Sequence, residues 1–279
     1  MGQINDDTEI PETIYHYCSE TSFQGILKSK QLWLSDVHCM NDSTEQKWLI
    51  GKAERRLNEL NHGDLWRDIQ PIIINLHPMD HNPHAFCFSP SPDSLSQWRA
   101  YADDGNGYSI GFSSSWLKNQ KKTHGRYVAL WKVEYDEKEQ MEGINHYIDK
   151  YLASLNRGAD RAEAGMTLVL AIYALSAICK NPHFHEEQEI RLLVLEPRDC
   201  TILHDGCRQG ISARFYRKND KYDEISCFSL DFPENAITSI YLGPKNNAKN
   251  DGSKLRNFLT ENGYDVNKLE IHNSDIPYC

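Results

Sequence analysis

The chain has 279 residues, 39% hydrophobic, 25% charged and 10% aromatic, with a formal net charge of −10. This is the make-up of a globular protein with ample material for a core. The acidity argues against a broad basic footprint for nucleic acid and leaves room only for a local positive groove. The eight cysteines, at 18, 39, 87, 179, 200, 207, 227 and 279, form no CxxC pair, so free thiols are expected rather than a thiolate metal site. Residues 1–11 are polar and acidic, with neither the charged and apolar regions of a secretory signal nor a myristoylation pattern. The longest uncharged run, Ala164 to Cys179, is shorter than the about 20 residues a membrane span needs. A cytoplasmic protein with no membrane contact is the expectation.

Residues 1–12 read as a flexible arm, and 13–279 as a single domain with a helical insertion near 137–180. Thr13 to Cys18 is rich in strand formers and reads as a first strand. Thr21 with Gln24 fits a capping box opening a short helix, Phe23 to Lys30, and Gln31 to Ser35 returns as a strand. Asp42 with Glu45 makes a second capping-box match for a helix from Ser43 to about Leu60, ended by Asn61-His62-Gly63. Residues 64–83 give no clear signal. Ala85 to Ser89 reads as a buried strand, Leu95 to Ala102 as a short helix, Asp103 to Gly107 as a tight turn and Tyr108 to Phe112 as a strand. Ala129 to Tyr135 is another strand. Glu137 to Ser154 and Glu163 to Cys179 carry helical periodicity. Strands follow at Glu189 to Leu195, Cys227 to Leu230 and Ile237 to Leu242, with an exposed hairpin turn at Lys218 to Glu224 and a closing helix from about Ala248 to Asn262. The order predicts an α+β fold of short, mainly antiparallel strands with segregated helices, not a βαβ repeat.

The chemistry-bearing stretch is Phe184 to Leu195. If its strand starts early, Glu187, Glu189 and Arg191 share one face, where one carboxylate could steady a developing cation and the other activate a nucleophile. The bland alternative is a strand entrance with a local ion pair. His16 lies mid-strand between Tyr15 and Tyr17 and reads either as a structural hydrogen-bonded residue or as a ligand for a sugar hydroxyl. Asn41 stands beside the capping residues Asp42 and Glu45. Ser89, Ser96, Trp98 and Tyr101 form a group in which two aromatics three apart on a helix could sandwich a flat ring, or pack helix to sheet. His77, His81 and His84 with Asp80, and His183 and His185 with Glu187, do not complete a metal site, and no metal is expected. No G-x-S-x-G, Walker loop or G-x-G-x-x-G is present.

Taken in order, Tyr15-His16-Tyr17, Leu32 to Ser35 with Asn41-Asp42 and Glu45, Phe88-Ser89, Trp98-x-x-Tyr101-Ala102, Gly107-x-x-Ile110-Gly111-Phe112 and Glu187-x-Glu189-x-Arg191 resemble a large bacterial family of unknown function. The resemblance spans roughly residues 13–245. That layout in turn resembles the ADP-ribosyltransferase fold, as in diphtheria toxin and the poly-ADP-ribose polymerases.

The resemblance implies an NAD-dependent ADP-ribosyltransferase, a toxin or phage-defence effector, with NAD as substrate and a nucleic acid or protein as acceptor. An antitoxin or inhibitory partner would restrain it. Carried over by position, His16 would hold the adenosine ribose and Trp98 or Tyr101 would stack on nicotinamide. Ser89 or Ser96 would hold the carboxamide, and Tyr17, Ser35, Asn41 and Arg191 would complete the NAD contacts. Glu189 would be the catalytic glutamate, with Glu187 positioning or deprotonating the acceptor and Tyr101 beside them. The imidazole is not followed by the glycine common in the polymerases. NAD hydrolysis to free ADP-ribose and a non-catalytic NAD or ADP-ribose sensor are the alternatives. A nucleic-acid acceptor would need a basic face, for which Lys118, Lys121, Lys122 and Arg126 are candidates.

Overall fold

The computed structural model describes residues 10–37, 45–60, 62–65, 67, 83–120, 127–195, 214–218, 224–250 and 252–278. Among these, the strands are β1 Thr13–Cys18, β2 Gln31–Asp36, β3 His84–Phe88, β4 Tyr108–Ser113, β5 Tyr127–Lys132, β6 Ile190–Leu195, β7 Phe215–Lys218, β8 Glu224–Asp231, β9 Ile237–Leu242 and β10 Glu270–Asn273. The helices are α1 Glu20–Ser29, α2 Glu45–Glu59, α3 Leu95–Tyr101, α4 Ser114–Lys118, α5 Glu137–Asn156, α6 Arg161–Ser176 and α7 Gly252–Glu261. One sheet runs β1-β4-β9-β10 and the other β5-β6-β3-β2-β8-β7. Every strand pairing is antiparallel except β9 with β10. The fold is therefore mixed α+β with antiparallel-rich sheets.

Alternation along the strands builds two cores. Phe86 and Phe88 of β3, and Ile190, Leu192 and Val194 of β6, point between the sheets and meet Ile14, Ile110, Phe112, Phe228 and Leu230. The opposite face of the same strands, through Ala85 and Leu193, is covered by α2, α5 and α6, which contribute Leu49, Ile144, Ile148, Leu168, Val169 and Ile172. Burial on both faces explains why β3 and β6 read as nearly continuous apolar runs. The helical stretch at 137–180 is thus a packing layer. Each fully buried Leu, Ile or Phe in these layers contributes about 1.5–3 kcal/mol.

The two sheets touch where β1 meets the end of β3. Tyr15 N–H donates to the Ser89 carbonyl at 2.8 Å, and Ser89 N–H to the Tyr15 carbonyl at 2.7 Å. β2 pairs with β3 only at Ser35–Ala85 and Asp36–His84, so the sheet opens toward Ser89 and β1 takes up the freed edge.

Several boundaries differ from the sequence reading. The α1 cap is Ser19, whose hydroxyl accepts from Ser22 N–H, rather than a Thr21–Gln24 box. The closing helix splits into a 3₁₀ turn at Asn247–Asn250 and α7, and Gly263 stops it at φ 86°. Strands β7 and β10 are additional, and the start of α2 with its proposed Asp42 cap lies outside the described residues.

The main correction concerns the Glu187–Glu189–Arg191 face. Pro182–Glu187 is a 3₁₀ segment opened by Asn181, whose side chain accepts from His183 N–H, and Gln188 turns left-handed at φ 44°. The strand begins at Ile190, so strand alternation does not align Glu187 with the other two. A different device brings them together.

Candidate active site

The approach of the carboxylates is set by the backbone after β5. Val133 N–H donates to the Glu189 carbonyl at 2.9 Å, Glu134 N–H to Ile178 O at 2.7 Å and Lys180 N–H to Glu134 O at 3.0 Å. One extended segment therefore pins both the residue that ends the α6 region and the residue that precedes β6. Gln140, almost wholly buried on α5, reinforces it by donating from Nε2 to Glu134 O at 2.9 Å and Lys180 O at 2.7 Å. Its Oε1 accepts from Trp48 Nε1 at 3.2 Å and Lys52 Nζ at 3.3 Å on α2.

Lys180 Nζ lies between the two glutamates, 2.5 Å from Glu187 Oε2 and 3.4 Å from Glu189 Oε2. Arg191 grips Glu189 bidentately, Nε to Oε1 at 3.0 Å and Nη2 to Oε2 at 2.8 Å, and its Nη1 donates to Ala177 O at 2.8 Å. Tyr101 Oη donates to Glu187 Oε1 at 2.9 Å, and Tyr135 Oη accepts from Glu189 N–H at 3.1 Å. The four charges sum to zero. Among them only Glu187 keeps appreciable side-chain exposure, 21% against 10% for Glu189, 6% for Lys180 and 1% for Arg191.

Burial pushes the Glu189 carboxyl upward, but the Arg191 charge and its hydrogen bonds, with Lys180, more than reverse this and hold it down at about 2. Burial, with the Glu187 charge, pushes the Tyr101 hydroxyl above its ordinary value, and burial does the same to Tyr135. Both phenols stay protonated at neutral pH, so Tyr101 is a standing donor to Glu187.

His16 stands apart from this cluster. Its ring packs on Phe86 at 4.1 Å and near Phe88 at 6.4 Å, on the inter-sheet face, whereas Glu189 and Arg191 turn to the helix face. Its Nδ1 donates to Cys87 O at 2.9 Å, which fixes the tautomer. Burial pushes its pKa down to about 4, only partly offset by that bond, so the imidazole is neutral at pH 7.

The other candidates brace the loop that carries α3. Tyr17 Oη donates to Ser91 O and accepts from Ser94 N–H, both at 2.9 Å. Ser89 Oγ accepts from Ser91 N–H at 3.2 Å, and Ser96 Oγ pairs with Ser94 Oγ at 3.1 Å. Trp98 is fully buried, edge-on to Tyr17 at 4.7 Å, with Nε1 donating to Asp93 Oδ1 at 2.6 Å. Of the two aromatics on α3, Tyr101 is therefore the one that reaches the carboxylates. Ser35 pairs with Ala85, four residues or about 13 Å along β3 from Ser89. It contacts Arg217 and Cys227 instead. Asn41 lies outside the described residues.

Sequence reasoning missed Lys180, Tyr135 and Gln140. Lys180 had a signal: it is the charge that closes the apolar run Ala164 to Cys179. Among the described residues, no group of three or more His, Cys, Asp or Glu is placed to hold a metal ion, and no helix is long and apolar enough to cross a membrane.

A family profile described as a protein of unknown function (DUF2971) matches residues 97–192, about a third of the chain. The matched segment contains Tyr101, Tyr135, Lys180, Glu187, Glu189 and Arg191, the whole charged cluster, and leaves out His16, Ser35, Ser89 and Ser96. No curated protein and no solved structure matches the chain.

Proposed function

We propose that this protein is an NAD-dependent ADP-ribosyltransferase, built on an ADP-ribosyltransferase-like fold, whose substrate-facing carboxylate is Glu187 and whose positioning carboxylate is Glu189. The supporting observation is the pair itself: two glutamates joined by one ammonium, the outer one part-exposed and held by a tyrosine, where the helix layer meets the start of β6. Two antiparallel-rich sheets meeting at a first strand, with an acidic pair leading into a late strand, are in keeping with that fold. In the proposed reaction the nicotinamide–ribose bond breaks with its electrons leaving on nicotinamide. The cationic ribosyl carbon is steadied by a fixed carboxylate, and an acceptor nucleophile attacks that carbon while losing its proton to a carboxylate. The acceptor is a nucleic acid or a protein, and an effector of this kind would be held in check by an inhibitory partner.

Incubation with adenylate-labelled NAD and mixed protein, RNA and DNA tests the proposal. Nicotinamide release that Glu187→Gln abolishes, with label on a macromolecule, is the expected result. Label confined to free ADP-ribose identifies a glycohydrolase instead. One observation favours a second reading. Lys180 and Arg191 already neutralise both carboxylates, as suits a non-catalytic NAD or ADP-ribose sensor. NAD binding with no nicotinamide released under any condition would establish that reading.

A further inference from the structure

The rim strand β7, with Trp33 of β2 on the far side of β8, carries a feature that the carboxylate cluster does not use. Residues 214–218 read Arg-Phe-Tyr-Arg-Lys, three cations and two aromatics with no acid, in a chain whose net charge is −10. The stretch forms the terminal strand of the six-stranded sheet. Alternation sends Tyr216 and Lys218 to one side and Phe215 and Arg217 to the other. On the second side Trp33 of β2 meets Phe215 edge-on at 5.4 Å, and Arg217 Nη2 donates to Ser35 Oγ at 3.3 Å. Arg217 Nε is buried with no hydrogen-bond partner.

Tyr216 and Trp33, 60% and 46% exposed, are two of the four exposed large hydrophobic side chains among the described residues. An exposed aromatic on each face of the sheet near this edge, with Lys218 on the Tyr216 face and Arg217 on the Trp33 face, offers what single-stranded nucleic acid requires: flat faces for bases and positive charge for phosphates. A protein strand adding to this edge would use the backbone and have no need of the two rings. Among the described residues, β8 brings two acids to this region: Glu224, opposite Lys218 in register, and Asp231, which accepts from Gln31 next to Trp33.

We propose that the β7 rim binds single-stranded nucleic acid, with bases stacking on Tyr216 and Trp33 and phosphates held by Arg217 and Lys218. This goes beyond the carboxylate site and does not depend on NAD chemistry. The test is fluorescence anisotropy of the full chain, without NAD, against labelled oligouridylate and oligodeoxythymidylate of about 12 nucleotides. Wild type should bind at low salt. Tyr216→Ala and Trp33→Ala should each weaken binding about tenfold. Arg217→Gln with Lys218→Gln should flatten the salt dependence by about 0.7 in logarithmic slope per cation removed. Tyr216 is mostly solvent-exposed, so its variant tests the rim even where Trp33→Ala unfolds. Absence of binding at low salt, or binding indifferent to Tyr216 and to the two cations, overturns the proposal. So does displacement of the oligonucleotide by an extended peptide whose own binding ignores Tyr216 and Trp33.

Discussion

Replacing Arg191 with Met removes the guanidinium that holds Glu189 and leaves its buried carboxylate with Lys180, 3.4 Å away, and the Cys87 side chain. The depression of the Glu189 carboxyl from 4.5 to about 2 corresponds to about 3 kcal/mol of differential stabilisation, at about 1.4 kcal/mol per pH unit. Breaking one partner of a buried pair costs about 3–5 kcal/mol, because the survivor is left without its counter-charge. Arg191→Met should therefore lose about 3–5 kcal/mol at pH 7. The sign of the pH dependence follows from the lowered folded-state value. The contribution is fully present above the ordinary carboxylate range and is lost as pH falls toward about 2. In the variant, acid protonates the stranded carboxyl and relieves the defect. The gap between wild type and variant should thus narrow from pH 7 to pH 3. Urea unfolding midpoints and slopes across that range measure it. A gap below about 1 kcal/mol at pH 7, or one that widens on acidification, would refute the reasoning.

Further outcomes follow from the same geometry. Tyr101→Phe deletes the donor to Glu187 while keeping the ring, so nicotinamide release should fall at least about tenfold while stability drops by no more than about 1.5 kcal/mol; steady-state kinetics beside urea unfolding separate the two. His16 is neutral when folded and protonates readily when unfolded, so wild type should lose stability as pH falls from about 6.5 to about 4. His16→Asn should flatten that interval, and the histidine ring shifts in NMR should show one imidazole that does not titrate above pH 5. A Cβ at Gly107 would collide with the Cys18 and Ala102 carbonyls, which are backbone and cannot swing away. Gly107→Ala should cost more than about 2 kcal/mol, read from the unfolding midpoint.

Much of the fold was legible because the two cores impose two clean patterns. β1 and β9 coincide with the residues read as strands, since both are rich in β-branched and aromatic strand formers. β3, α5 and α6 shift only at their ends: the Asp136-capped start of α5 coincides with the reading, whereas Asp160 caps α6 two residues earlier than read. The rim strand β7 and the late strand β10 were not legible. Their half-exposed residues carry no apolar run, and their pairing is set by strands distant in sequence or, for β7, across the stretch read only as a turn. The acidic pair was recognised by residue type and misplaced by geometry. A period-two reading put Glu187 on the strand, whereas the left-handed Gln188 ends a 3₁₀ turn first. His16 illustrates the opposite limit. Its strand was found, but which face it turns to depends on Phe86 and Phe88, some 70 residues later.

The two glutamates are physically unequal, and that inequality separates a structural role from a chemical one. Glu189 is enclosed, doubly bonded by Arg191 and hydrogen-bonded to Tyr135 through its backbone N–H. Glu187 sits on a single 3₁₀ turn, held through its side chain by Lys180 and Tyr101 and part-open to solvent. Glu189→Gln turns a charge-assisted fork into a neutral contact beside two cations, so it should cost stability and chemistry together. Glu187→Gln removes the more exposed of the two carboxylates and leaves Lys180 with Glu189, so it should cost less stability than Glu189→Gln while removing nicotinamide release. Paired unfolding and turnover measurements on both variants give four numbers. The reverse pattern, with Glu187→Gln active and Glu189→Gln stable but inactive, would move the substrate-facing role to Glu189. It would also require Arg191 and Lys180 to let go of that carboxylate in the reacting complex, because a fork already filled by a guanidinium has no negative charge left to offer a cationic ribose.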